Sequence, residues 1–292
     1  HLGVDVVYNA VPADVYRSFG FPGADDMGNM FQFKADFEAD LAKELNASAW
    51  KEWYEKFKAF VSHSEREILK QIASLKNWIV EDAKTARALL SAVNQITPLS
   101  NSLQSMQMNE WRGPQSKNKT GLKPHELLEP IMRGEDIGLM SEAGVPGVAD
   151  PGADIVYMAH QLGARVKPLV GPSSILLGLM ASGLNGQCFS FQGYLPVDAA
   201  ERSKRIKQLE QRSKQNHETQ LWIETPYRNT AMLESCLGSL SSQTQLCIAV
   251  DLSLQSEWIW TAPVSEWQNR FSNPVAMNAV LKNRPAIFLM LA

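Results

Sequence analysis

Two adjacent carboxylates, Glu81 and Asp82, close a short apolar run, Trp78–Val80, and Lys84 and Arg87 follow on a helical pattern. Paired acids beside an amine are groups that can take and return a proton. The same acids also suit an ordinary helix start, where they complement the dipole. A second stretch, Ser141-Glu142-Ala143-Gly144-Val145-Pro146-Gly147-Val148-Ala149-Asp150-Pro151-Gly152, leaves the apolar segment Asp136–Met140 and runs into another helical pattern. Its glycines and prolines let backbone approach a ligand, and Asp150-Pro151 reads as a helix start. Two further loops have the same character. Gly171-Pro172-Ser173-Ser174 follows Arg165–Val170, and Glu224-Thr225-Pro226-Tyr227-Arg228-Asn229 follows Gln220–Ile223. Any one of them could be a plain strand-to-helix turn. If the strands are parallel, all three fall on one edge and line one cleft.

Other chemistries find no support. The chain has no GxxxxGK[ST] loop, and Gly144-x-x-Gly147 is not GxGxxG. There is no GxSxG, and neither Ser173 nor Ser174 has an adjacent histidine, so a capping role is expected for them. Cys188, Cys236 and Cys247 are scattered without a CxxC pair, which points to a reducing compartment and no structural zinc. The five histidines are equally dispersed, so no metal site is expected.

The elements that must hold these loops read as an α/β fold. A composition of 45% hydrophobic and 20% charged residues over 292 residues is ordinary for a globular chain with room for two domains. Val4–Ala10 is an expected strand, Asn29–Leu45 a helix, and Trp50, Trp53, Tyr54, Phe57 and Phe60 an aromatic stripe docking on a core. A seam lies near residues 61–66. Beyond it, strands at Trp78–Val80, Ile137–Met140, Arg165–Val170, Gln220–Glu224, Leu246–Val250 and Ala286–Leu291 alternate with helices at Ala83–Val93, Pro151–Leu162, Ser174–Ser182, Ala199–Arg212 and Tyr227–Leu240. Residues 94–123 read as a long loop. Alternation of this kind implies a largely parallel sheet with helices on its faces.

The net charge of −3 argues against binding nucleic acid by bulk charge alone. Two local basic runs stand out: Arg112, Lys117, Lys119 and Lys123, and the helical run Arg202, Lys204, Arg205, Lys207, Arg212 and Lys214. They read as a solvated loop and helix face or, in the helix, as a rail for RNA phosphates. No apolar stretch approaches the ~20 residues of a membrane span, and no basic region with an apolar core opens the chain. A cytoplasmic protein without a membrane partner is expected. His1 is not a natural start, so an upstream segment is expected to have been lost.

Residues ~66–292 resemble the tetrapyrrole methylase-like, class III S-adenosylmethionine-dependent methyltransferases, within them the branch that methylates a ribose 2′-hydroxyl of small-subunit ribosomal RNA. The matching pieces, in the family's order, are Glu81-Asp82…Arg87, Ser141–Pro146…Ala149–Gly152, Pro168–Ser174, Ala181–Leu184, Phe191–Pro196 and Glu224–Arg228. The resemblance implies two α/β domains, at 63–184 and 185–292, with the cofactor folded up in the cleft between them. It implies cofactor contacts from Ser141, Glu142, Ala143, Gly144, Val145, Pro146, Gly171, Pro172, Ser173, Ser174, Thr225 and Pro226. It also implies a ribosomal RNA or small-subunit partner and a homodimer. Arg87, Arg202, Arg205 and Arg228 are expected RNA contacts, and Glu81, Asp82 and Lys84 are candidates for handling the acceptor's proton, with none singled out.

The family's opening strand, with its small-residue loop, is not found. Residues ~3–60 (domain 1–62) instead resemble the C-terminal tail of the NmrA-like group of atypical short-chain dehydrogenases, through Tyr8–Pro12, Tyr16–Asp26 and Gly28–Gln32. The chain therefore reads as a junction of unlike sequences, whether by fusion, engineering or mis-assignment, and its first ~60 residues are expected to take no part in methyl transfer. Three other readings stay open: a methylase acting on a tetrapyrrole-like small molecule, a catalytically dead scaffold with a methylase fold, and an NmrA-type redox sensor.

Overall fold

The computed structural model describes residues 5–8, 66–114, 123–142, 144–169, 171–271 and 273–292. The expected helix at 29–45 and the aromatic stripe at 50–60 lie outside the described residues. Two compact units divide the chain between Pro172 and Ser173. The sequence reading drew that line after Leu184.

The first unit is built on β1 (Asp5–Tyr8), β2 (Asn77–Val80), β3 (Gln107–Glu110), β4 (Ile137–Met140) and β5 (Arg165–Lys167). Their order is β3-β2-β4-β1-β5, and every pairing is parallel. Its described helices are α1 over 66–74, α2 (Ala83–Ile96), α3 (Pro124–Leu127), α4 (Glu129–Met132) and α5 (Ala153–Gln161). All four residues of β2 and of β4 are buried. Side chains alternate across a strand, so each strand feeds two cores. Trp78, Val80 and Met140 join Leu69 and Ile72 of α1 and Leu90 and Val93 of α2. Ile79, Ile137 and Leu139 join Leu127, Ile131, Ile155 and Ala159 of α3, α4 and α5. Each fully buried large side chain contributes about 1.5–3 kcal/mol, so these two strands anchor the unit.

Two expectations are corrected here. The strand expected at Val4–Ala10 forms over Asp5–Tyr8, and it occupies an interior place in the sheet that the sequence reading left without a strand. Val6 pairs in parallel with Ile137 on one side and with Val166 on the other. A parallel sheet asks of an interior strand only extended, β-favouring residues, not a family's consensus. The loop expected at 94–123 contains the last turn of α2 and the strand β3. That strand is a sheet edge, so the polar sequence Gln-Met-Asn-Glu suffices for it.

The second unit carries α6 (Ser174–Ser182), β6 (Phe189–Tyr194), α7 (Ala199–Asn216), β7 (Thr219–Glu224), α8 (Asn229–Ser239), β8 (Gln245–Val250), β9 (Trp258–Pro263), α9 (Val264–Arg270), α10 (Pro274–Leu281) and β10 (Ala286–Leu291). The order is β6-β7-β10-β8-β9. Only β6 and β7 run parallel; β10 is antiparallel to β7 and β8, and β9 to β8. The largely parallel sheet expected from the alternation therefore describes the first unit alone. The short link from β8 to β9 permits an antiparallel return, which a parallel pair would not. Helix α6 belongs here because Ile175 and Leu179 pack with Leu221, Ile287 and Leu289.

Close packing gives two measurable consequences. A Cβ added to Gly138 in β4 would lie 2.3 Å from Trp78 Cζ3. Gly138→Ala should therefore cost about 2–3 kcal/mol, read as a lower urea midpoint with unchanged slope. Burial pushes the Cys236 thiol strongly up and that of Cys247 up to about 11, whereas Cys188 is exposed. A thiol reagent should thus titrate Cys188 alone in the native protein and all three cysteines in denaturant.

Candidate active site

In the first sheet the chain leaves β2 for β3 in one direction and leaves β4 for β5 in the other, stepping past β1. Adjacent strands whose connections part in this way open a crevice beyond their C-terminal ends. The segments that line it are Glu81-Asp82 after β2, Trp111-Arg112 after β3 and the Ser141–Gly152 loop after β4.

The structure joins these segments. Asp82 caps α2: its Oδ1 accepts hydrogen bonds from the backbone N–H groups of Lys84 (2.9 Å) and Thr85 (3.1 Å). Its Oδ2 lies 3.4 Å from Arg112 Nη2. Arg112 Nε donates to the Glu81 carbonyl at 2.9 Å. Glu81 Oε1 accepts from the Glu142 N–H at 3.1 Å, and the Thr85 hydroxyl donates to Glu142 Oε1 at 3.0 Å. Trp111 donates its backbone N–H to Val80 O at 2.7 Å and its indole N–H to Asp154 Oδ1 at 3.3 Å, tying the exit of β3 to α5.

Within the β4 loop, the Ser141 hydroxyl is buried and has no hydrogen-bond partner among the described residues. Gly152 has φ +130°, and a Cβ there would meet Leu139 Cδ2 at 3.0 Å. Only glycine takes that conformation at low cost while packing so close to the sheet. Asp150 is half-buried, and its carboxyl is pushed up to about 6, first by burial and then by the negative charge of Glu81. Ala143 lies outside the described residues.

Of the three candidates for proton handling, Asp82 has both oxygens engaged, so it holds the start of α2. Lys84 is exposed, as is Arg87, which donates to the Ala83 carbonyl at 3.4 Å. Glu81 remains at the crevice and is joined there by Asp150. The sequence reading took Asp150 for a helix start only. The available signal was a second acid inside a loop that returns toward Glu81.

Gly171 and Pro172 follow β5 and are part-buried. Ser173 is buried and occupies the N-cap position of α6, yet its side chain makes no capping bond, while Ser174 is exposed. In the second unit the Glu224–Asn229 turn is pinned from inside. The Glu224 side chain is fully buried; its Oε1 accepts the N–H (2.6 Å) and hydroxyl (3.1 Å) of Thr225, and its Oε2 lies 2.8 Å from Arg228 Nη2. Arg228 also donates to Pro196 O at 3.3 Å, so the loops after the parallel strands β6 and β7 are clamped together. The Pro226 carbonyl accepts from Asn283 N–H at 3.2 Å.

The expected RNA contacts fare unevenly. Arg202 is 6% exposed and spends its donors on Ser235 Oγ, Pro196 O and Val197 O. It is removed from that set because it shares the buried face of α7 with Ile206, Leu209 and Ser213. Counting charges along the run, rather than around the helix, hid this. Arg228 is 15% exposed and held by Glu224. Arg205 is half-buried and donates to Gln192 Oε1 at 2.8 Å; Lys204 and Lys207 are exposed on the same helix. Among the described residues no three His, Cys, Asp or Glu side chains gather as a metal site. No helix among them is long and apolar enough to cross a membrane.

No protein-family model matches the chain. It is similar to the ribosomal RNA small subunit methyltransferase I of Vibrio cholerae, 32% identical over 144 residues and 49% of each chain. It is 33% identical to that of Pseudomonas aeruginosa over 140 residues, 48% of each chain. With the Bacillus subtilis protein it shares 32% identity over 148 residues, 50% of this chain and 49% of the other. The chain spans about half the length of the curated relatives it matches. Among solved structures, uroporphyrin-III-C-methyltransferase from Thermus thermophilus is 13% identical with a TM-score of 0.43, over 77% of this chain and 86% of that one. Cobalt precorrin-4 methyltransferase is 14% identical with a TM-score of 0.45, over 77% and 87%. The likeness of residues 3–60 to an NmrA-like tail finds no support in these comparisons.

The Asp150 carboxyl gives a signed pH test. A raised carboxyl pKa favours the folded state at low pH, and that contribution is lost as pH climbs from the unfolded value of 3.8 through about 6. After solvent screening the loss is about 1 kcal/mol. Wild-type stability in urea should fall by this amount across that window relative to Asp150→Asn.

Proposed function

We propose that the protein is an S-adenosylmethionine-dependent methyltransferase of the tetrapyrrole methylase type, acting on a ribose 2′-hydroxyl of small-subunit ribosomal RNA. The similarity to named ribosomal RNA small subunit methyltransferases carries this reading. The crevice residues fit a ligand of this kind. The buried Ser141 hydroxyl lacks a partner of its own, and Gly152 keeps the loop backbone against the sheet.

We assign cofactor contacts to Ser141, Glu142, Ala143, Gly144, Val145 and Pro146, to Gly171, Pro172, Ser173 and Ser174, and to Thr225 and Pro226. When bound, the cofactor supplies an electrophilic methyl group. The chain's own work is to hold the acceptor in line, exclude water and receive a proton. Glu81 orients the β4 loop through the Glu142 N–H, and Asp82 fixes the start of α2. We assign the acceptor's proton to Asp150, whose carboxyl is ionised at neutral pH yet basic enough to accept it. Arg87 and Arg205, with Lys204 and Lys207, are the assigned phosphate contacts. An RNA substrate of this class puts the protein in the cytoplasm, and we expect a homodimer. The net charge of −3 and the loss of Arg202 from the RNA set favour, as a second reading, a small tetrapyrrole-like acceptor.

Calorimetric titration should show S-adenosylmethionine binding that weakens by about tenfold in Ser141→Ala, the loss of one hydrogen bond in a buried site. Labelled methyl groups should pass to small ribosomal subunits, not to a porphyrinoid. A folded protein that binds no cofactor overturns the enzyme reading, and transfer to the porphyrinoid alone selects the second reading.

A further inference from the structure

The second unit ends its sheet in an aromatic stack that the proposed chemistry does not use. β9 is the last strand in the order, so one of its edges has no strand partner among the described residues. Trp258 and Trp260 stand on one face of β9, both partly exposed. Trp260 lies 4.4 Å from Trp267, centroid to centroid, and Trp267 stacks on Phe271 at 5.4 Å and 21°. Trp267 is fully buried and fixed by its indole N–H to Leu246 O at 2.9 Å. The Arg270 guanidinium covers the Trp260 ring at 4.5 Å and lies 5.8 Å from Trp258. Arg270 is exposed, and among the described residues its side chain has no hydrogen bond or ion pair.

We propose that Arg270, stacked on Trp260, is a stacking platform for one unpaired nucleotide of a single-stranded RNA. The inference rests on the reading that RNA is the substrate. A guanidinium is planar, weakly hydrated and always charged. Held against an indole that is itself braced on the core, it has little rotamer freedom left to lose. Its outer face matches the plane of a base, and its edge N–H groups match a phosphate. A cation–π contact at the end of a helix stabilises the fold without any ligand, but it leaves that outer face and those donors unused. Glu257 and Glu266 lie in the same segment, and the Glu257 carboxylate accepts the Ser253 N–H at 2.7 Å.

The test is fluorescence anisotropy of the full protein with a labelled, mixed-sequence single-stranded RNA of about ten nucleotides. Arg270→Ala should weaken binding about tenfold and reduce the logarithmic salt slope by about 0.7, the share of one phosphate. Arg270→Lys should restore the salt slope without restoring affinity, because an ammonium keeps the charge and loses the plane. Cofactor affinity should stay at the wild-type value in both variants, and the thermal midpoint of Arg270→Ala should fall by only about 2–4 °C, the share of the lost cation–π contact. If wild type binds the RNA and Arg270→Ala matches it within twofold, or if Arg270→Lys restores full affinity, the platform is overturned while the RNA reading stands. If wild type binds no RNA, the platform and the RNA reading fall together. Binding of an extended peptide that is abolished by Arg270→Ala, with RNA binding untouched, also overturns it.

Discussion

Burial of β2 and β4 on both faces is the constraint on which the first unit depends. A strand covered on both sides favours apolar side chains, since an unpaired polar group there would cost several kcal/mol; Asn77, at the start of β2, is buried with its Nδ2 donating to Glu135 Oε2 and Asp136 O. Trp78, Ile79, Val80, Ile137, Leu139 and Met140 meet that demand. Polar chemistry is thereby excluded from the sheet and collects where the strands end. Because all pairings are parallel, β2, β3 and β4 end on the same edge. Glu81, Asp82, Arg112, Glu142 and Asp150 are neighbours for that reason, although up to sixty-nine residues separate them.

The hydrogen bonds at that edge sort the charges by task. Asp82 gives its oxygens to backbone N–H groups and to Arg112, and so holds the start of α2. Asp150 has Glu81 for a neighbour and is half-withdrawn from water, so it holds its proton to a higher pH. Two carboxylates of one edge thus take different tasks: one is tied down by hydrogen bonds, and the other is left beside a like charge.

The second unit answers a different constraint. Its sheet is mostly antiparallel, and its edge strands among the described residues are β6 and β9. At β6 the parallel pairing with β7 brings two loops side by side, and the buried Glu224–Arg228 pair clamps them through Pro196. Removing either partner of such a pair would strand the other charge in the interior. At β9 the indoles of Trp258 and Trp260 pack on one face of the strand toward Trp267, and the Arg270 guanidinium lies over the Trp260 ring.

What the sequence by itself determined were the strands that bury both faces and the loops that leave them. Ile137–Met140 and Ala286–Leu291 are strands at the bounds read from their apolar runs, and the Ser141–Gly152 loop lies at the edge its glycines and prolines implied. The edge strands β3, β6 and β9 were illegible, whereas the edge strand β5 was read within Arg165–Val170; β3 is polar and β9 mixes two indoles with Thr and Pro, and an edge does not need the pattern of a buried strand. Only the tertiary structure decided the rest. It put Asp5–Tyr8 between β4 and β5, turned Arg202 inward, and brought Asp150 to Glu81. Each of these depends on which groups meet after long stretches of chain have folded back. Local periodicity carries burial, but the meeting of distant charges is set by strand order, and strand order is settled by packing.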